Sequence, residues 1–209
     1  SIFGGLLKVG QSVRPFLPAI LKKSIPERAK LTKVWPAARH ARKMFVLDGC
    51  VQPALAPNIN IASASVLDKL GISLVKTANA GCCGAVAYHL NDQQDGLNYM
   101  RRNIDAWWPL VEKKEVEAII VTASGCGVTV KEYGHLLRYD SVYARKAATI
   151  STLAKDISEI LHAELGNLQH LFSQKHTALK TKLSFHSPCT LQHGMQIRGV
   201  VEEILQAAG

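Results

Sequence analysis

The sequence predicts an α/β fold, a parallel sheet flanked by helices, and three observations lead there. Short apolar runs alternate with longer amphipathic ones over most of the 209 residues, the rhythm of strand-helix-strand units. The clearest run, residues 118–122, is continuous and β-branched, as expected of a strand buried on both faces. All five cysteines fall just after a predicted strand, in loops that bear glycine or proline.

Taken in order, residues 44–48 read as the first strand and run into Gly49-Cys50. Residues 59–70 place Ile61, Val66, Leu67 and Leu70 at helical spacing, and Gly71 stops them. Residues 72–75 form a second strand that leads to Gly81-Cys82-Cys83-Gly84. A long helix follows, with Leu97, Met100, Ile104, Trp107, Trp108 and Val111 on one apolar face; Pro109 is expected to kink or restart it. The strand at 118–122 opens into Ala123-Ser124-Gly125-Cys126-Gly127 and a helix through 130–137. Another helix is expected over 149–165, then a strand at 183–186 that ends at Ser187-Pro188-Cys189. A last helix is expected over 198–207.

Composition bounds the function. With 47% hydrophobic and 20% charged residues, the chain has the makeup of a packed domain and not of a disordered one. No uncharged apolar run approaches the roughly 18 residues of a membrane span, and the opening residues lack the basic start and cleavage site of a signal peptide. The net charge of +9 is confined: residues 1–45 hold ten Lys or Arg against Glu27 alone, and the remainder is balanced. With Pro15, Pro18, Pro26 and Pro36, this stretch reads as an extended linker broken by short helical turns. A solvated linker is one meaning of its charge, and a docking surface for an acidic partner or anionic lipid is another. Nucleic acid is disfavoured, because no aromatic-plus-basic stripe accompanies the lysines.

In a parallel sheet the loops after the strands gather at the carboxyl edge, where ligands bind. Cys50, Cys82, Cys83, Cys126 and Cys189 would thus converge from separate loops. An isolated cysteine is ordinarily a small buried hydrophobe, but packing would place cysteines inside helices and strands, not all at strand ends. The absence of a secretory signal argues against structural disulfides, and vicinal Cys82-Cys83 pair poorly with each other. Zinc sites favour a CxxC knuckle, which is absent. Thiolates from several directions suit an iron–sulfur cluster, and the flanking glycines let backbone amides approach its sulfides. No Walker or GxGxxG phosphate loop is present, nor any convincing Ser/His/Asp or paired-carboxylate arrangement.

Cys50, Cys82-Cys83-Gly84 and Cys126, with the blocks at residues 47–53, 80–86, 88–91, 103–109, 122–127, 130–134 and 188–193, resemble the cysteine-rich CCG domain. That domain occurs in heterodisulfide reductases and in iron–sulfur subunits of flavin-linked dehydrogenases; among these the blocks look most like glycolate oxidase iron–sulfur subunits. The resemblance implies two CCG repeats preceded by a ferredoxin-like segment, whose motifs do not occur here. Val46-Leu47-Asp48-Gly49-Cys50 echoes Ser184-Phe185-His186-Ser187-Pro188-Cys189, so the chain reads as a fragment. The expected organisation is a basic linker over residues 1–43, a first CCG repeat over 44–165, and over 166–209 a connector with the truncated start of a second repeat.

The resemblance further implies that Cys50, Cys82, Cys83 and Cys126 ligate one [4Fe–4S] cluster, with Cys189 belonging to a second, incomplete site. Family repeats close with CxxC; here Ala123 stands where the missing thiol is expected. A cluster-free docking domain and a thiol/disulfide-active protein of the heterodisulfide reductase type therefore stay open. The function implied is electron transfer from FAD-binding glycolate oxidase subunits towards a membrane acceptor such as quinone, with glycolate oxidised to glyoxylate by the complex. The expected location is the cytoplasm or the cytoplasmic face of the inner membrane. His89 reads as a loop or cap histidine, with tuning or ligating a cluster as the sharper alternative. At least one of Trp107 and Trp108 reads as packing, with electron relay or contact with a flavin subunit as the alternative. Lys131 reads as a surface ion pair, with neutralising cluster charge as the alternative.

Overall fold

The computed structural model describes residues 2–174 and 182–208. Four strands, β1 (Arg42–Val46), β2 (Ile72–Val75), β3 (Ile119–Val121) and β4 (Ala154–Asp156), form a sheet of order β2-β1-β3-β4. Every neighbouring pair is parallel, with Met44 opposite Leu74, Phe45 opposite Ile119 and Ile119 opposite Ala154. The expected parallel α/β class is what the chain adopts.

The strands are apolar throughout because both faces are covered. Phe45, Leu47, Ile119 and Val121 point into one core with Met100, Ile104 and Trp107 of the long helix. The alternate residues Met44, Val46, Ile72, Leu74 and Ile120 enter a second core with Ala64 and Leu67. The period-two split is the pleat of each strand presenting successive side chains to opposite sides. In chain order the helices of this region are α3 (Gln52–Leu55), α4 (Asn58–Lys69), α5 (Ala85–His89), α6 (Gln93–Glu112), α7 (Ser124–Lys131), α8 (Tyr133–Leu136) and α9 (Ala144–Leu153). They are preceded by α1 (Ile2–Val13), a 3-10 turn at Arg14–Phe16 and α2 (Ala19–Ser24). After β4 come α10 (Ile157–Ala163), α11 (Leu165–Ser173), a π-helical turn at Thr190–Gly194 and α12 (Val200–Ala207).

Four expectations are corrected. The opening segment is more helical than short turns imply, since α1 alone runs for 12 residues. Pro109 neither restarts nor breaks α6, because it sits in the last turn of that 20-residue helix, where its missing N–H removes a single hydrogen bond. The helix expected over 149–165 is interrupted by β4, whose Asp156 then starts α10 with a capping box, bonding Ser158 N while Glu159 reaches back to Asp156 N at 2.9 Å. Residues 183–186 form no strand, and Leu183 and Phe185 are exposed. The segment pairs with none of the four strands, and an unpaired strand has no partner for its N–H and C=O groups.

Candidate metal centre

The order β2-β1-β3-β4 reverses direction at β1, and the crevice beyond the carboxyl ends of the strands on either side of such a switch is where open α/β sheets place ligands. Cys50 lies in the loop after β1, Cys82 and Cys83 in the loop after β2, and Cys126 in the first turn of α7 after β3. All four line one cavity of about 790 Å³ there. Its walls include Val51, Leu55, Val86, Val121 and Val128, with His89 and Glu132 as titratable neighbours. Ala123, where a further thiol was expected, is in the same wall.

The thiols perturb one another in a chain, Cys126 with Cys83, Cys83 with Cys82, and Cys82 with Cys50, and hydrogen bonding along it separates their acidities. The bond from Cys83 holds Cys126 below the ordinary thiol range. Cys83, through that same contact and its burial, is pushed up to about 11. Cys82 is raised by its bond to Cys83 and by burial, and Cys50 by burial first and then by Cys82. Four thiols in the wall of one cavity resist ionising together without a cation, and metal ligation would release their protons. Among the described residues no disulfide forms, and no group of three His, Cys, Asp or Glu closes around a single metal ion. A set of four soft sulfur donors, strung along the wall of a roomy cavity and not closed on a point, fits a multi-atom iron–sulfur cluster better than one ion.

The vicinal pair is held from behind by two residues that are fully buried. Asn103 of α6 accepts from Gly81 N at 2.8 Å and donates through Nδ2 to the carbonyl of Cys82 at 2.8 Å. The Tyr133 hydroxyl donates to the carbonyl of Cys83 at 2.8 Å and accepts from Asn103 Nδ2 at 3.0 Å. Burial keeps that phenol well above its usual range, so it remains a donor. Gly84 completes the loop at φ +91, and a Cβ there would stand 2.5 Å from the carbonyl oxygen of Gly96; only glycine satisfies both conditions.

A second network fixes the loop of Cys50. Asn60 Nδ2 donates to Asp48 at 3.0 Å, Gln52 Nε2 donates to Asn60 Oδ1 at 2.8 Å and to Thr122 Oγ1 at 2.7 Å, and Lys76 pairs with Asp48 at 2.8 Å. Neither network was assigned in the sequence. Asn103 was nonetheless detectable: it falls between Met100, Ile104 and Trp107 on a helix face that is otherwise apolar, and a polar side chain there must find partners.

Cys189 is not brought into the cavity. It is exposed, although its neighbour Thr190 lines the cavity and meets Ser124, oxygen to oxygen, at 2.6 Å. His89 closes α5 and stands edge-on to Tyr88. Trp107 is core, Trp108 packs against that core, and Lys131 pairs with Glu159 at 3.3 Å.

Fold and site together define a cysteine-rich α/β domain, and residues 44–131 match the CCG cysteine-rich domain family. Over all 209 residues the chain is 47% identical to the glycolate oxidase iron–sulfur subunit of Escherichia coli (strain K12), covering 50% of that protein. It is also 28% identical over 192 residues to the probable glycolate oxidase iron–sulfur subunit of Bacillus subtilis (strain 168), which is 90% of this chain and 40% of that one. Lactate utilization protein A of Bacillus velezensis (strain FZB42) is 25% identical over 161 residues, 77% of this chain and 62% of the relative. The expected resemblance to glycolate oxidase iron–sulfur subunits is therefore shown. The chain spans about half the length of the first of these relatives. No solved structure gives a significant match.

Proposed function

We propose that this chain is an iron–sulfur electron-transfer module of a flavin-linked 2-hydroxy-acid oxidising complex, with glycolate as the substrate of the complex. The observation that supports this most directly is the meeting of Cys50, Cys82, Cys83 and Cys126 in one cavity at the carboxyl edge, in a chain similar throughout to a glycolate oxidase iron–sulfur subunit. Those four thiolates would hold a [4Fe–4S] cluster, with Cys189 outside it. Bound there, the cluster would supply one-electron transfer between FAD on partner subunits and a membrane acceptor.

The chain's own contribution is to prepare that site. Asn103 and Tyr133 orient the backbone of Cys82 and Cys83, and the Asp48–Asn60–Gln52 network orients that of Cys50. The apolar wall of Val51, Val86, Val121 and Val128 limits water at the sulfurs, which together with hydrogen bonding to the thiolates sets the reduction potential. Hydroxy-acid chemistry would take place on the flavin subunits, at the cytoplasmic face of the inner membrane.

Anaerobic iron–sulfide reconstitution of the full chain, with iron and sulfide counted and the reduced sample examined by EPR, tests this. The expected result is about four irons per chain, abolished by Cys82→Ser or Cys83→Ser and retained in Cys189→Ser. A folded sample that takes up no iron overturns the electron-carrier reading.

A further inference from the structure

The helices that open the chain turn their large side chains outward. α1 half-buries Leu7, Gly10 and Gln11 and leans on α3, whose Gln52 and Leu55 wall the cysteine cavity. Its Phe3, Leu6, Val9 and Val13, spaced to share one side of the helix, are exposed. The apolar surface continues past α1: Phe16 is 88% exposed, Ile20 81% and Leu21 50%. Single exposed apolar residues are ordinary on a protein surface, but seven in one short segment are not.

Charge accompanies them. Lys8, Lys22 and Lys23 interleave with the apolar residues, and Arg28, Lys30 and Lys33 follow. The sole acid before residue 48 is Glu27, and it is paired to Arg14 at 2.9 Å. Among the described residues no helix is long and apolar enough to cross a membrane. An amphipathic pair of short helices, with protruding apolar side chains and one sign of charge, is the makeup of a segment that lies in a bilayer interface.

We propose that α1, the 3-10 turn and α2 dock this chain onto an anionic lipid surface, with Phe16, Ile20 and Leu21 below the headgroups and Lys22 and Lys23 among the phosphates. A second copy of the chain is a poor occupant, since two surfaces of the same positive sign repel. The apolar residues also protrude and do not line a groove that could receive a partner's helix. Because α1 rests on α3, docking sets the wall of the cysteine cavity beside the membrane. The inference stands apart from the cluster reading, as the segment contains no cysteine.

Co-sedimentation of the full chain with vesicles of phosphatidylcholine alone, or of phosphatidylcholine mixed equally with phosphatidylglycerol, tests it. Binding is expected to be at least about tenfold tighter to the anionic vesicles and to weaken as salt is raised. The double variant Phe16→Asp/Ile20→Asp should lose binding to both. Lys22→Glu/Lys23→Glu should lose the anionic preference, by roughly tenfold or more. Phe16, Ile20 and Lys23 are exposed and Lys22 is half-buried, so circular dichroism should show an unchanged fold, and iron uptake read on the same samples should be unaltered. Loss of vesicle binding with iron retained then reports on this surface alone. Equal binding to both vesicle types, or anionic binding that survives Phe16→Asp/Ile20→Asp, overturns the proposal. So does a dimer, seen by light scattering, that the aspartate pair dissolves, for the face would then be an interface between copies.

Discussion

The loop of Cys82-Cys83 and the loop of Cys189 look alike in sequence and differ in structure. Each follows a short apolar run and bears cysteine beside glycine or proline. Behind the first, β2 is paired to β1 along its length, and Asn103 and Tyr133, both fully buried, grip three consecutive backbone positions. Behind the second there is no strand; Gln192 reaches the carbonyl of Ser187 at 2.8 Å, and Leu191, Met195 and Ile197 anchor the segment against Val128. A cysteine after an apolar run therefore becomes part of a site only where that run finds a neighbour to pair with. Pairing fixes the height of the loop over the sheet, and buried polar groups fix its orientation.

The strongest way to break this contrast is at the glycines. Gly84→Ala forces a side chain into a left-handed backbone and against the Gly96 carbonyl, and it should cost on the order of 4 kcal/mol in urea unfolding. Gly199→Ala, at φ +74 but facing open space, should cost about 1 kcal/mol. Equal losses would show that the Cys82-Cys83 loop is no tighter than the tail.

Next in size is Asn103→Ala. It strands Gly81 N–H and the Cys82 carbonyl in a buried setting, and about 3 kcal/mol of stability should go with it. Gln192→Ala, at the other loop, should cost under about 1 kcal/mol by the same measurement. Tyr133→Phe removes one hydroxyl that both donates and accepts, and about 1–2 kcal/mol is expected. Its sharper signature lies in the reconstituted protein, as a changed EPR spectrum or potential at unchanged iron content.

The smallest effect concerns acid. Glu164 is held below the ordinary carboxylate value of 4.5, first by its hydrogen bond from Arg42 at the start of β1 and then by Asn167. A folded-state value below the unfolded one contributes stability that is complete above 4.5 and is lost as pH falls through the folded value. Glu164→Gln should therefore flatten the acid limb of a stability–pH curve, by less than about 1 kcal/mol because the pair is at the surface. An unchanged acid limb would show that this ion pair does not fasten the later helices to the sheet.

These contrasts also explain what was readable in advance. β1, β2 and β3 announce themselves because a strand buried on both faces must be continuously apolar. β4 does not: Ala154, Lys155 and Asp156 are three residues with no apolar alternation, between two helical runs. Its presence depends on a free place beside β3, which is a tertiary fact. The strand expected at 183–186 fails for want of pairing too, since that segment joins none of the four strands. Four of the five cysteines were legible as a group because parallel topology alone sends loops after strands to one edge. Their support was not singled out, since Asn103 and Tyr133 act through backbone carbonyls far along the chain. Each left a trace even so, as a polar group on an apolar helical face, Tyr133 lying between Val130 and Leu137 in the core.

The sheet order has a consequence in time. Cys50, the Cys82-Cys83 pair and Cys126 issue from β1, β2 and β3, and β1 lies between the other two. Parallel pairing makes each of those contacts wait for a whole crossover to be laid down. The sulfurs therefore meet only after β1 has acquired β2 on one side and β3 on the other, and no shorter nascent stretch presents the complete set. Loading of the site must follow assembly of residues 44–126, so an occupied site is also a report that the sheet has closed in register.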